Sequence, residues 1–181
     1  HSITLDVDKF GNVLRSASVS YGRRQSDPDP ILSDADRSKQ TQTLATYVEN
    51  LYTNDVSVTD DLTSEYAWRT PLLYESRTCE LLNLPPLTDA SGRLRFANLR
   101  TLCDEAADGK HDLQFENLAG PPTTSAEPYR RLIGHTRALY RSDDLSVPLP
   151  LGTLESLALP FRSYTKAFTP GLLAETYGDR L

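Results

Sequence analysis

From Ser2 onward apolar and polar residues alternate, with Ile3, Leu5 and Val7 set against Thr4, Asp6 and Asp8. That period of two places successive side chains on opposite faces of a strand. Asp8-Lys9-Phe10-Gly11-Asn12 breaks the pattern, and Gly11 and Asn12 tolerate the positive φ that a tight turn requires. Alternation then resumes, with Val13, Arg15, Ala17, Val19 and Tyr21 against Leu14, Ser16, Ser18 and Ser20. The pattern predicts a β-hairpin over 2–22, with Phe10, Gly11 and Asn12 setting its turn.

Residues 23–42 are polar, and Asp27-Pro28-Asp29-Pro30 opposes both helix and ladder, because each proline lacks a donor and restricts the residue before it. An exposed loop is expected there. Thr43 to Thr53 is rich in β-branched and aromatic residues and reads as a strand, with helix as the competing reading. The acidic Asp60-Asp61 stretch reads as a loop. Trp68 to Leu82 reads as a second long strand whose start Pro71 places at an edge or bulge. After Pro85-Pro86 the period changes, and Phe96, Leu99, Leu102 or Cys103, and Ala106 fall at helical spacing until Gly109-Lys110 stops the run. A loop over 120–128 leads to an alternating strand over 129–141. Ser142-Asp143-Asp144-Leu145 turns the chain, and 148–159 is too broken to assign. A last strand is expected over 161–168, followed by a short helix that Thr169 caps, Pro170 begins and Gly178 ends. About six long strands and two short helices, with no βαβ rhythm, predict a mainly β fold of long antiparallel strands and hairpins.

Composition narrows the function classes. With 181 residues, 19 Lys and Arg against 25 Asp and Glu, a net charge of −6 and no long basic run, the chain is not built to bind nucleic acid. Its apolar runs fall far short of the roughly 18 residues that span a bilayer, so no membrane insertion is expected. Cys79 and Cys103 are too few and too far apart for a disulfide scaffold, and two semi-buried free thiols are expected, with a single Cys79–Cys103 disulfide as the alternative. The chain begins at His1 and contains no Met, the mark of a segment from a longer protein, expected to be one unit over 1–181.

Chemistry-bearing residues are sparse. His1, His111 and His135 share no ligand or triad spacing. His135 lies in a predicted strand, where a sheet-face histidine is the default, and a general base working with a nearby carboxylate is a minor alternative. Asp6 and Asp8 before Gly11 have some likeness to a calcium loop, but Phe10 fills a ligand position and the closing Glu is missing. Asp60-Asp61, Asp104-Glu105 and Asp143-Asp144 read as solvated charge. No catalytic residue, metal or cofactor is predicted. Trp68, Tyr74, Tyr140 and Phe161 are the expected packing anchors. A clustering of Tyr47, Tyr52, Trp68 and Tyr74 around one concave site would instead indicate an independent carbohydrate- or protein-binding module.

Several segments carry a more specific signal. His1-Ser2-Ile3-Thr4-Leu5-Asp6-Val7-Asp8-Lys9-Phe10-Gly11-Asn12-Val13-Leu14-Arg15-Ser16, Lys39-Gln40-Thr41-Gln42-Thr43-Leu44, Glu75-Ser76-Arg77-Thr78-Cys79-Glu80-Leu81, Arg131-Leu132-Ile133-Gly134-His135, 139–145 and 148–160 resemble, in order, the middle to C-terminal region of the B component of bacterial insecticidal toxin complexes. The resemblance implies a secreted virulence factor and a non-enzymatic structural role. In that family the B component combines a propeller, docked on the pore-forming A component, with a hollow shell of RHS-type β-sheet. With the C component, the shell encloses a toxic C-terminal polypeptide before translocation. The implied partners are the remainder of the B component, the C component and, indirectly, the A component. A shell segment on its own exposes strand edges, so it is expected either to close on itself or to associate with another copy.

Overall fold

The structure is a computed structural model and describes residues 1–57, 68–86 and 92–180. The Asp60-Asp61 stretch lies outside the described residues. Seven strands form one sheet: β1 (Ser2–Val7), β2 (Val13–Ser20), β3 (Leu44–Tyr52), β4 (Leu73–Leu82), β5 (Asp112–Leu113), β6 (Tyr129–Arg141) and β7 (Leu159–Thr165). Three short helices accompany it, α1 (Asp34–Gln40), α2 (Phe96–Ala106) and α3 (Pro170–Tyr177). The strands run in the order β1-β2-β3-β4-β6-β5, and β7 pairs with the second half of β6. Every pairing is antiparallel except the two-residue β5–β6 contact. The fold is mainly β, as the alternating patterns predict, and no helix among the described residues is long and apolar enough to cross a membrane.

The hairpin turn is organised by a residue the pattern did not single out. Asp8 accepts the backbone N–H groups of Phe10 and Asn12 on one carboxylate oxygen, at 2.8 and 2.9 Å, and the Asn12 side-chain amide on the other at 2.9 Å. Gly11, at φ 85°, donates its N–H to the Asp8 carbonyl. These bonds replace the ladder at the point where the chain reverses.

Beyond the hairpin the register carries the alternation across four strands. Ala17 faces Tyr47, which faces Cys79, and Val19 faces Ala45, which faces Leu81. This face of β1–β4 is the apolar one, and α2 lies on it through Leu99, Leu102, Cys103 and Ala106. Tyr47, Leu99 and Cys103 are completely buried. No side chain caps α2; the Tyr21 hydroxyl accepts the Leu94 N–H just before it, at 3.0 Å.

Several expectations change. The stretch 23–42 holds a helix, α1, closed by a reciprocal capping box between Ser33 and Asp36. None of its residues is buried, so it carries no hydrophobic period to detect. The strand expected from Trp68 begins only at Leu73, after Pro71, and Trp68 is 63% exposed. Lying outside the ladder, its ring has no core face to enter, so it is not a packing anchor within this chain. β5 was not foreseen, since two residues have no periodicity, and β7 begins at Leu159 rather than Phe161.

Leu99→Ala removes the side chain that seats α2 and is expected to cost about 3 kcal/mol in urea denaturation, whereas Asp8→Ala, which frees two backbone donors at a solvated turn, should cost less. A smaller loss for Leu99→Ala than for Asp8→Ala would mean that α2 does not anchor the sheet.

Candidate functional site

The chemistry on this scaffold gathers where β4 and β6 pair. Glu75 and Arg77 lie two residues apart on β4, as do His135 and Arg137 on β6, so each pair shares a face. The register sets Glu75 opposite Arg137 and Arg77 opposite His135. One carboxylate thereby meets three cationic or donor groups. Glu75 Oε1 accepts from Arg77 Nε at 2.8 Å and from Arg137 Nη2 at 3.2 Å, and Oε2 accepts from Arg137 Nε at 3.0 Å. His135 Nε2 lies 2.9 Å from Oε1. An ionised carboxylate only accepts, so Nε2 carries the proton of that bond.

Glu75 is 3% exposed. Burial pushes its carboxyl up, but the hydrogen bonds from Arg137, His135 and Arg77 outweigh that and hold it down to about 2. His135 does meet a carboxylate, as a general base would require. Yet Glu75 has no proton to give near neutrality, and its lone pairs are already engaged. The arrangement is an ionic tie between two strands distant in sequence rather than an acid–base pair.

A groove of about 380 Å³ opens beside it, lined by Glu49, Arg77, Asp112, Arg130, His135 and Lys166 among others. Arg130 bridges Glu49 at 3.4 Å and Asp112 at 2.5 Å, so the groove's charge is largely compensated from within. A third ionic group sits at the other end of this face, where Asp6 joins Arg15 and Arg100, and Arg15 reaches Asp104 at 2.6 Å. Cys79 borders the groove as a free thiol that burial pushes up to about 11, and burial likewise pushes the free Cys103 up to about 12. Neither is a ready nucleophile. Among the described residues no three His, Cys, Asp or Glu side chains converge as a metal site.

The aromatic residues occupy separate places. Tyr74 is the extra residue of a β4 bulge, and its ring lies against Gly152, where a Cβ would come within 3.1 Å of Tyr74 Cζ. Tyr140 is half-buried on β6. Phe161 is the bulged residue of β7, with the guanidinium groups of Arg141 and Arg162 at 5.5 and 5.0 Å from its ring. Tyr47 is buried, and the Tyr52 hydroxyl is spent on the Val13 carbonyl at 3.3 Å. With Tyr47 in the core and Trp68 outside the sheet, these four aromatics do not form a concave recognition surface.

The Glu75 tie could have been sought in the sequence through the paired Glu-x-Arg and His-x-Arg spacings. Their pairing depends on a non-local register that spacing does not contain. A bulge also displaces it: Thr78 pairs with Gly134 but Cys79 with Leu132, so Leu132 joins the face of His135 against strict alternation.

The tie sets a pH dependence. Because the folded carboxyl lies below its unfolded value, its contribution is present above about pH 4.5 and is lost as pH falls toward 2. Glu75→Gln is expected to destabilise the chain by about 3 kcal/mol at pH 7 and by far less at pH 2. Equal losses at both pH values in chemical denaturation would show that the carboxylate's charge is not what holds β4 to β6.

Comparison with known proteins fits this architecture. Residues 1–63 match the family described as the insecticide toxin TcdB middle/C-terminal region. No curated protein matches the sequence. Among solved structures, the crystal structure of TcdB2-TccC3-Cdc42 is similar with a TM-score of 0.58 and 22% identity, over 98% of this chain and 7% of that one. TcdB2-TccC3 without its hypervariable C-terminal region gives 0.59 and 21% over the same shares. The Photorhabdus luminescens Tc holotoxin pore, carrying a TccC3 mutation, gives 0.52 and 18%, over 98% of this chain and 8% of that one. The chain thus spans only 7–8% of the length of these neighbours. The amino-terminal third of the chain is thus similar to the TcdB middle/C-terminal region, and nearly its whole length shares the fold of a part of these TcdB2-TccC3 structures.

Proposed function

We propose that this segment is a non-catalytic piece of wall in a toxin B component, contributing its strands to an RHS-type shell that encloses the toxic C-terminal polypeptide of a secreted complex. Its partners on this reading are the rest of the B component, the C component and, indirectly, the A component.

The observation that carries the reading is the difference between the two faces of the sheet. One face bears α2 and the three ionic groups. The other presents Ser16, Ser18, Thr46, Val48, Ser76, Thr78, Gly134 and Thr136, a lattice of short, mostly hydroxyl-bearing and uncharged side chains in register across β2, β3, β4 and β6. Where a charge does occur there, Glu80 is matched by Arg131 at 3.5 Å. Such a face offers hydrogen bonds with little uncompensated charge, which suits a cavity wall facing a polypeptide of no fixed sequence. One of the similar structures is of a TccC3 described as having a hypervariable C-terminal region. An ionic tie in place of a catalytic constellation also suits a wall.

Site-specific photocrosslinking in the assembled B–C complex tests this. A crosslinker at Ser18 is expected to capture the enclosed polypeptide, and one at Asn98 on α2 to capture none of it. Capture from Asn98, or from neither position, overturns the shell reading.

A further inference from the structure

At the α3 end of the segment a group of apolar side chains is left uncovered by the sheet. Helix α3 carries Leu172, Leu173 and Ala174, yet none of its residues is buried. Its attachment is concentrated at its first turn: Thr169 accepts the Leu172 N–H at 3.2 Å and Glu116 accepts the same group at 2.6 Å. Gly171 makes room for that carboxylate, since a Cβ there would lie 2.7 Å from Glu116 Cδ. Eight residues with so little packing fall below the roughly 12 that make a helix stable in water by itself.

Around α3 the exposure is continuous. Phe115, Ile133 and Phe168 line one notch with Leu172, in the interval along β6 between its pairing with β5 and its pairing with β7. Phe115 is 40% exposed, Ile133 46% and Phe168 62%, and Tyr177 near the end of the helix is 51% exposed. Large apolar side chains grouped in this way mark a surface that another polypeptide covers. The opposite edge is managed differently. There Arg100 donates to the Leu5 carbonyl at 3.2 Å and to Asp6 at 2.8 Å, closing over β1 from α2.

We infer that the α3 notch formed by Phe115, Ile133, Phe168 and Leu172 is a docking surface for the remainder of the same B component. This inference rests on the reading of the chain as a B-component segment. The occupant follows from length: the similar structures continue for more than ten times the span that this chain matches, so most of such a polypeptide lies outside these residues. A helix held at one end and apolar along its body gains its stability when that polypeptide closes on it.

Thiol labelling tests the assignment, because the native Cys79 and Cys103 are 3% and 0% exposed and give little background. Phe168→Cys should react rapidly with a maleimide in the isolated chain and at least tenfold more slowly in the complete B component without the C component. Ile31→Cys, at a site 88% exposed on a distant loop, reports whether each preparation labels normally. Equal labelling at position 168 in both preparations overturns the inference. Protection already present in the isolated chain, with a dimer by light scattering, assigns the notch to a second copy and also overturns it. So does protection that arises only when the C component is added. As a second measurement, Phe168→Ser should leave the isolated chain's thermal midpoint unchanged and lower that of the complete B component, and a drop in the isolated chain would mean the residue serves this fold alone. Crosslinking from Ser18 is read independently, so failure of the shell reading and failure of this docking surface give different results.

Discussion

The pairing of β4 with β6 is the contact on which the rest of the sheet depends. All earlier strands are joined to their neighbours in chain order, but between β4 and β6 the chain leaves to make α2 and β5 before returning. That closure costs chain entropy that no local hairpin offsets, so the pair must be held by interactions of its own. Glu75 supplies them. Three donors from two strands meet one buried carboxylate, and the geometry can be satisfied only when Arg77 faces His135 and Glu75 faces Arg137. A slip of β6 by one residue would send His135 and Arg137 to the opposite face, among the hydroxyls and away from Glu75. The tie therefore fixes register as well as proximity.

The same registration explains how the sheet keeps two unlike faces. Since alternation is strict between bulges, fixing β6 on β4 fixes which residues of every strand point toward α2. Cys79 and Leu81 continue the apolar rows begun by Ala17 and Val19, and Arg15, Glu49 and Arg77 form an ionic row next to them, with Arg15 paired to Asp104 of α2. Where the bulge at Ile133 breaks phase, it brings Leu132 onto the face of Cys79. The bulge is thus a device that keeps an apolar row apolar, at the point where β6 passes from β5 to β7.

What the sequence made legible was local. The hairpin, the strand character of 43–53 and the helical spacing of α2 all rest on periods that a few consecutive residues display, and the structure has them. α1 escaped notice because a helix with no buried side has no period, and its only sign was the Ser33–Asp36 cap inside a proline-rich stretch. Trp68 was misjudged because alternation was extended through Pro71, beyond the point where the ladder begins. The site was half visible: His135 stood out as a candidate, but its partner is set by a pairing across the whole α2–β5 excursion. Periodicity reports which way a side chain points and not which strand it will meet.

The contrast between the two ends of the sheet follows from the same physics. At the β1 end the chain uses its own Arg100 to occupy a strand carbonyl and an edge carboxylate, so that edge is less open to further pairing. At the β7 end nothing comparable occurs: β7 is paired on one side, most of its residues are exposed, and α3 beyond it is tethered by Glu116 without being buried. A fold that evolved to stand alone gains by protecting both edges. A fold that protects one edge, and at the other presents aromatic side chains beside a marginal helix, fits the proposed docking of further polypeptide at that end. Closed toward β1 and open toward α3, the sheet has an asymmetry in keeping with the proposed wall, in which each part is completed by the next.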